Sequence, residues 1–383
     1  ALRTSWAPRY TQPRIDPRAV EGVPTSYAEL ADPDTDLARL LALPDAYDDW
    51  IDEQAGIDVG QGLSADVADE ERRTHARDLE AYRRESGYIR TGIELLQESH
   101  EAARILSSNP PAAGDAREAL AKQAVPWEAW LRTNEAFELY GAGQYTDWRL
   151  FQLAFILAHL PTFASRIDVF AHRFDAFRDE LSASLLYFPT GGGKSEAFFG
   201  LLVFNLFFDR LRGKKRGVTA LVRYPLRLLT LQQARRLTRI LVHAELVRIR
   251  HGIGGWPLEL GFWVGSGNTP NRAAQGFGGV PAITVAAYPD DTALLNPPEE
   301  STEAALAARR RSERYREALE AYDKLRKCPC CGADTGMRKY PSQFGRIGIV
   351  CFNDTDCAWN ATNPPSPHRV PLPFLLTDDT IYQ

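Results

Sequence analysis

The chain has 383 residues, 44% of them hydrophobic and 25% charged, a balance that excludes wholesale disorder and fibrous repeats. The longest dense apolar run, residues 198–208, is interrupted by Gly200 and Asn205 and falls short of the roughly 20 residues a membrane span needs. The net charge of −5 hides an asymmetry: residues 1–150 carry 28 acidic and 16 basic side chains, residues 151–383 carry 22 and 29, and residues 201–250 alone carry 12 basic against 2 acidic.

In chain order, residues 1–25 are rich in Pro and Arg and predict an extended lead-in. Asp36 to Leu43 is a short amphipathic helix expected to end near Pro44. Ser64 predicts an N-cap, with Asp66, Asp69, Glu70 and Glu71 suiting the positive end of a helix dipole. Leu79, Tyr82, Ile89, Ile93, Leu96, Ala103 and Leu106 recur at helical spacing to about Ser107, with Gly87 and Gly92 as expected interruptions. Asn109-Pro110-Pro111 is a breaker, and a further helix, Ala116 to Tyr140, is expected to break near Pro126. Residues 1–147 thus predict an acidic, mostly α-helical domain.

The texture changes at Trp148. Phe151 to Leu160 predicts an apolar helix closed by Pro161, and Ser165 to Leu181 a second one. Ser184 to Phe188 is a short apolar run typical of a buried parallel strand. A loop to Ser195, a helix Glu196–Leu211, a strand Gly217–Val222, a basic helix Leu226–Arg250 and a strand Leu258–Val264 follow. This alternation predicts an α/β unit with a parallel sheet over residues 148–300. Residues 265–300 read as a long loop. In the third region, residues 301–383, a charged helix Glu303–Lys327 precedes all five cysteines, and the chain turns Pro-rich from Asn363. The length, at about 150 residues per domain, agrees with two or three units, and the absence of an apolar leader in ALRTSWAPRY predicts a cytoplasmic location.

The strongest chemical signal is Leu185 to Gly200, LLYFPTGGGKSEAFFG. An apolar strand runs into Pro189-Thr190-Gly191-Gly192-Gly193-Lys194-Ser195, and a helix opens at once. Glycines let backbone N–H groups converge on a phosphate chain. In such a loop Lys194 reaches the β/γ-phosphates and the Ser195 hydroxyl binds Mg2+, with ATP the implied nucleotide. The strict P-loop pattern wants Gly where Phe188 stands; helicases of superfamily 2 often omit that Gly and keep the Pro-Thr-Gly-x-Gly-Lys-Ser/Thr core seen here. Gln152, one helix and one strand upstream, matches the place where many of those helicases carry a Gln that reads adenine. After the second strand, Arg223, Arg227, Thr230 and Gln233, with Gln232 beside them, are suited to gripping the phosphates of DNA. The alternative is that Arg227, Arg235, Arg236 and Arg239 are one solvated helix face. Trp263-Val264-Gly265 with Asn268-Thr269-Pro270 is a weaker candidate for the same surface.

FPTGGGKSEAFFG, RYPLRLLTLQQARR, GFWVG and CPCCG together resemble the DrmA family, the superfamily 2 helicase-like proteins of the DISARM anti-phage defence system, over roughly residues 148–383. The resemblance implies a DNA-dependent ATPase or translocase acting with a DrmB-like partner. It implies nucleotide and Mg2+ at Lys194 and Ser195, and Glu196 as the acidic residue closing the loop motif. It places Arg223 to Gln233 in the motif Ia region of a RecA-like lobe. Ser195 stands where this family more often has Thr, which keeps the hydroxyl.

Cys328 and Cys331 form a C-x2-C pair with Gly332 supplying the turn, and Cys351 and Cys357 form a C-x5-C pair about twenty residues on. Four such thiolates suit tetrahedral, structural Zn2+ in a zinc ribbon inserted in the lobe. Cys330 is spare, or replaces Cys331. No apolar strand ending in Asp-Glu follows Ser195; the acidic pairs of the right type, Asp290-Asp291 and Asp378-Asp379, do not follow a buried strand. The chain is therefore expected to be the first part of a larger motor, without ATP turnover of its own. The competing reading is a zinc-ribbon module that binds nucleic acid or a partner and carries a non-catalytic phosphate loop.

Overall fold

A computed structural model describes residues 19–187 except 112, residues 192–262 except 225 and 226, residues 302–307, 310, 313, 324–340, residues 346–362 except 354, and residues 370–375. The side chains of 227–230, 337–340, 346 and 347 lie outside that description. The chain divides into two compact units, residues 1–131 with 145–201, and residues 132–144 with 202–383. The described residues of the front of the chain are mostly helical. Residues 145–201, which include the Lys194 turn, pack with the N-terminal helices. No described helix is long and apolar enough to cross a membrane.

The first unit opens with a single helical turn, α1 (Tyr27–Leu30), then a 3-10 turn, Leu37–Leu41, that runs into α2 (Ala42–Ala55). Pro44 does not end this helix. It sits in the first turn, where a missing N–H costs no helical bond. α3 (Ala65–Ser108) is one 44-residue helix starting at Ser64, and neither Gly87 nor Gly92 interrupts it. α4 (Asp115–Gln123) and α5 (Val125–Gly141) divide at Ala124, with Pro126 again in a first turn. α6 (Leu150–Ala164) contains Pro161 instead of stopping before it. The expected helix over 165–181 is a 3-10 turn, Asp168–Arg173, and a π turn, Phe177–Leu181, because Asp175 and Asp179 are engaged in local hydrogen bonds with Arg178 and backbone N–H groups.

The apolar stripe of α3 buries Leu79, Ile89, Ile93 and Leu96, and α6 contributes Ile156, Leu157 and Leu160. The two helices meet at Gly92, where a Cβ would lie 2.0 Å from the Leu157 carbonyl oxygen. That carbonyl belongs to the residue four before Pro161, and proline has no N–H to give it. Glycine and proline, both helix breakers by composition, here let two helix backbones touch.

The second unit holds the last part of α5, most of α7 (Lys194–Leu211), α8 (Arg227–Arg250) and the cysteine module. Phe204, Phe207, Phe208, Ile240, Val242 and Val247 are fully buried. Two buried acids pin the segments that follow their helices. Glu245 accepts from Arg248 Nε and Nη2, each at 2.7 Å, and from the Leu258 N–H at 2.9 Å. Asp209, 1% exposed, accepts from Arg212, Lys214 and Thr219, each at 2.7 Å. Burial alone would raise the Asp209 carboxyl, but the hydrogen bonds from Lys214, Thr219 and Arg212 outweigh it and hold it below the usual carboxylate range. Asp209→Asn is expected to cost about 2–4 kcal/mol at pH 7, less than a sealed pair because Lys214 and Arg212 are partly exposed. A depressed carboxyl stabilises the fold above its unfolded value of about 3.9 and stops doing so as pH falls through its lower folded value. Urea melts of the two proteins should therefore begin to draw together as pH falls below about 4 and coincide only below the lower folded value.

The predicted parallel sheet is not assembled by the described residues. β1 (Leu260–Gly261) pairs in parallel with a strand at Phe374–Leu375, Leu260 opposite Phe374. Two of the segments read as strands are solvent-facing: Leu185 is 88% exposed, Tyr187 90%, and Val218 and Leu221 are exposed as well. Neither segment pairs with another strand among the described residues. A short parallel strand gains stability only from neighbours in the ladder, so apolar composition alone does not bury it. The charged helix expected over 303–327 falls mostly outside the described residues.

Candidate nucleotide and metal sites

The phosphate-loop candidate lies in the first unit. Pro189, Thr190 and Gly191 are outside the described residues; Gly192 to Glu196 are described and half-buried. Gly193 has φ +87°, a left-handed conformation that favours glycine, and a Cβ there would meet Gln152 Nε2 at 2.8 Å. α7 begins at Lys194, so Lys194, Ser195 and Glu196 form its first turn. The Glu196 N–H donates to the Gly193 carbonyl at 3.2 Å.

Two side chains at the start of α6 hold the loop. Arg149 Nη1 donates to the Gly192 carbonyl at 2.7 Å, and Gln152 Nε2 donates to the Gly193 carbonyl at 2.8 Å. Gln152 Oε1 in turn accepts the Arg149 backbone N–H at 2.8 Å. In a trans peptide the N–H points opposite to the C=O. Turning the carbonyls of Gly192 and Gly193 toward α6 therefore turns the N–H groups of Gly193 and Lys194 the other way. The outcome is adjacent N–H groups aimed away from α6 at the positive end of an 18-residue helix, the chemistry an anion needs. Behind them Trp148 is buried and packs edge-on to Tyr27 at 4.9 Å. A Cβ on Gly200 would come within 2.6 Å of both Trp148 and Ile156, so α6 and α7 approach closely beneath the loop.

Gln152, matched in sequence to an adenine reader, is 4% exposed and spends both ends of its amide on backbone, one end on the loop itself. Arg149 escaped the sequence reading altogether; its only signal was a cation three residues before Gln152, at the mouth of an apolar helix. The DNA candidates lie in the second unit. Arg223 and Gln232 are exposed, Gln233 is half-buried with Oε1 accepting from Arg236 at 3.1 Å, and the backbones of Arg227 and Thr230 open α8. Residues 263–270 lie outside the described residues.

The cysteine cluster is a hairpin closed at its base. β2 (Thr335–Tyr340) and β3 (Arg346–Cys351) pair antiparallel, with Thr335 opposite Cys351. This register brings the C-x2-C turn before β2 to the end of β3. In the turn, Gly332 has φ +75°, its N–H donates to the Cys328 carbonyl at 2.9 Å, and the Cys328 N–H donates to Ala333 at 2.8 Å. The wider C-x5-C loop is shaped by Asn353. Its side-chain oxygen accepts from the N–H groups of Thr355 and Asp356, and its own N–H reaches Cys351 Sγ at 3.4 Å. A short helix, α9 (Ala358–Thr362), follows Cys357.

The sulfurs of Cys328, Cys331, Cys351 and Cys357 all lie within 4.8 Å of one another, with Cys328 to Cys357 at 3.8 Å and Cys331 to Cys351 at 3.5 Å. A tetrahedral ion with metal–sulfur bonds of about 2.3 Å needs sulfur–sulfur edges of about 3.8 Å. Disulfides, at about 2.05 Å, are excluded by these distances. The four thiols can therefore hold a metal ion, and the geometry suits zinc. Burial pushes Cys351 up to about 12 and Cys328 higher still. At Cys331 burial is outweighed by the Ala333 N–H and neighbouring thiols, which hold it below the ordinary thiol range. Cys330 stands outside the set and packs against the apolar cluster of Leu325, Ile349, Trp359, Leu372 and Phe374.

No family model matches the chain, and no solved structure does. Among curated proteins it is similar to the DISARM protein DrmA of Bacillus paralicheniformis (strain ATCC 9945a / NCIMB 11709 / CD-2), 31% identical over 255 residues. The match covers 62% of this chain and 18% of that protein; the chain spans less than a fifth of the relative it matches.

Proposed function

We propose that this chain is the nucleotide-binding segment of a superfamily 2 DNA-dependent ATPase or translocase acting in DISARM-like anti-phage defence, with a DrmB-like protein as partner and the cytoplasm as its location. The observation that carries the reading is the pair of carbonyls, Gly192 and Gly193, held by Arg149 and Gln152 at the start of α7. Such a loop presents N–H groups to the phosphates of ATP. Lys194 supplies the cation at the β/γ-phosphates, and Ser195 the hydroxyl for Mg2+. Bound nucleotide would bring the reactive phosphoanhydride; this chain's residues bind, orient and neutralise it. Gln152 then acts by positioning the loop, and Glu196 sits beside it in the first turn. The similarity to DrmA supports the defence setting.

In this reading Ser184–Phe188 and Gly217–Val222 are strands of a RecA-like lobe whose remaining strands come from elsewhere in the full protein. The four cysteines hold a structural zinc within a ribbon. Arg223, Arg227, Thr230, Gln232 and Gln233 face DNA. The competing reading, a zinc-containing binding module with an inert loop, predicts no response to nucleotide.

Thermal melts with and without ATP–Mg2+ separate the two. At a ligand concentration 100 times Kd, binding should stabilise the chain by about 2.7 kcal/mol, and Lys194→Ala should remove that shift while leaving the melt without nucleotide unchanged. A wild-type chain indifferent to ATP–Mg2+ sinks the proposal.

A further inference from the structure

The second unit contains a cleft of about 470 Å3 that the motif residues do not account for. It lies between α8 and the cysteine turn. Arg235, Arg239, Arg326 and Lys327 line it together with the apolar Leu325 and Pro329, and among the described residues no carboxylate lines it. All four cations are exposed.

The contacts of Arg235 and Arg239 orient these cations without an opposing charge. Arg235 Nε donates to the Lys324 carbonyl at 3.1 Å, which fixes the guanidinium without adding an opposing charge. Arg239 lies over the Tyr140 ring, its guanidinium carbon 5.2 Å from the ring centroid, a cation–π contact that adds no opposing formal charge. Lys327 meets Asp334 at 2.7 Å, but both side chains are mostly in water, and such a pair holds only weakly. Four like charges in one concavity attract an anion, and guanidinium forks match phosphate oxygens.

The lining also narrows the kind of anion. Among the described residues that line the cleft there is no Asn, Gln, Asp or Glu to read a base edge and no aromatic ring to stack on a base. Its length along α8, from Arg235 to Arg239, joins the segment that carries Gln232 and Gln233. We propose that this cleft seats successive phosphates of a nucleic-acid strand without sequence preference, so that the metal-binding module is part of the nucleic-acid surface as well as a structural element. This rests on the reading of the chain as a DNA-acting protein, but it does not depend on the phosphate loop.

The test is fluorescence anisotropy of the zinc-loaded 383-residue chain with labelled dT20, and with a 20-base-pair duplex, across a KCl series. Arg326→Ala/Lys327→Ala should weaken binding about tenfold or more and reduce the slope of log K against log salt by about 1 for each phosphate no longer neutralised. Adding Arg235→Ala should reduce it further. Arg117→Ala/Lys122→Ala, a matched removal of charge on α4, should leave affinity and slope unchanged. Zinc content and the thermal melt of each variant report folding. The inference is overturned by cleft variants that fold, retain zinc and bind both oligonucleotides as wild type does. It is equally overturned if wild type binds neither oligonucleotide, or if inorganic phosphate at millimolar concentration displaces dT20 completely at constant ionic strength. Loss of ATP–Mg2+ stabilisation with oligonucleotide binding intact would count against the proposed ATPase function alone.

Discussion

Chelating the metal from this chain is expected to unfold the cysteine module while the N-terminal helical unit keeps its melt. The core beneath the module is shared with α8: Leu325, Ile349, Trp359, Leu372 and Phe374, with Cys328, Cys351 and Cys357, pack together with Ala234, Val242, Leu246 and Phe262. A two-stranded hairpin is marginally stable at best in water, so the metal is expected to hold its turns against that core. A structural zinc site of four thiolates contributes an apparent binding free energy of about 10–16 kcal/mol at pH 7, and that free energy is also folding free energy for the residues it joins. The purified chain should therefore contain one zinc by elemental analysis. A strong chelator should expose residues 324–375 to limited proteolysis. Cys357→Ser should reproduce the effect, because it removes a thiolate 3.8 Å from Cys328. Cys330→Ser should keep the full zinc content, because Cys330 lies outside the close set. A chain that carries no metal and resists protease in chelator would show that the thiols are held by packing alone.

The helices of the first unit were legible because apolar spacing reports a buried face directly. The cysteine set was legible for a different reason: two pairs separated by about twenty residues leave room for one hairpin, and the register of Thr335 with Cys351 closes it. What could not be read were features whose meaning lies in a partner. Ser184–Phe188 has the composition of a buried strand, yet composition does not name a neighbouring strand, and Leu185 and Tyr187 stand in solvent. Gln152 was visible as an amide near a phosphate loop, but its contacts with Gly193 and Arg149 depend on how α6 meets α7. Local propensity treats Pro44, Pro161 and Gly92 as stops or interruptions. Pro44 instead occupies a first turn, and Pro161 and Gly92 stand where tertiary packing overrides that propensity.

Gly92 gives the sharpest consequence, because two substitutions in one helix are expected to have opposite signs. Within a helix, Gly→Ala normally stabilises by about 0.5–1 kcal/mol, since alanine loses less backbone entropy on folding. Gly87 on α3 is exposed, with nothing within 4 Å of a new Cβ, so Gly87→Ala should show that gain. At Gly92 the same methyl would sit 2.0 Å from the Leu157 oxygen and 2.7 Å from its carbon. Backbone cannot rotate away as a side chain can, so α3 and α6 must separate by about an ångström or more. Overpacking of this kind costs about 1–3 kcal/mol and occasionally more, and rigid backbone on both sides puts Gly92→Ala at or above the upper end. Urea denaturation of both variants should bracket wild type. The effect should also reach the candidate nucleotide site. α6 carries Arg149 and Gln152 at its first turn, and these orient the carbonyls of Gly192 and Gly193. Moving α6 away from α3 shifts the groups that aim the loop, so Gly92→Ala should weaken ATP–Mg2+ binding under conditions where the chain is still fully folded, and Gly87→Ala should not. Equal nucleotide affinity in the two variants would mean that the loop keeps its shape without α6.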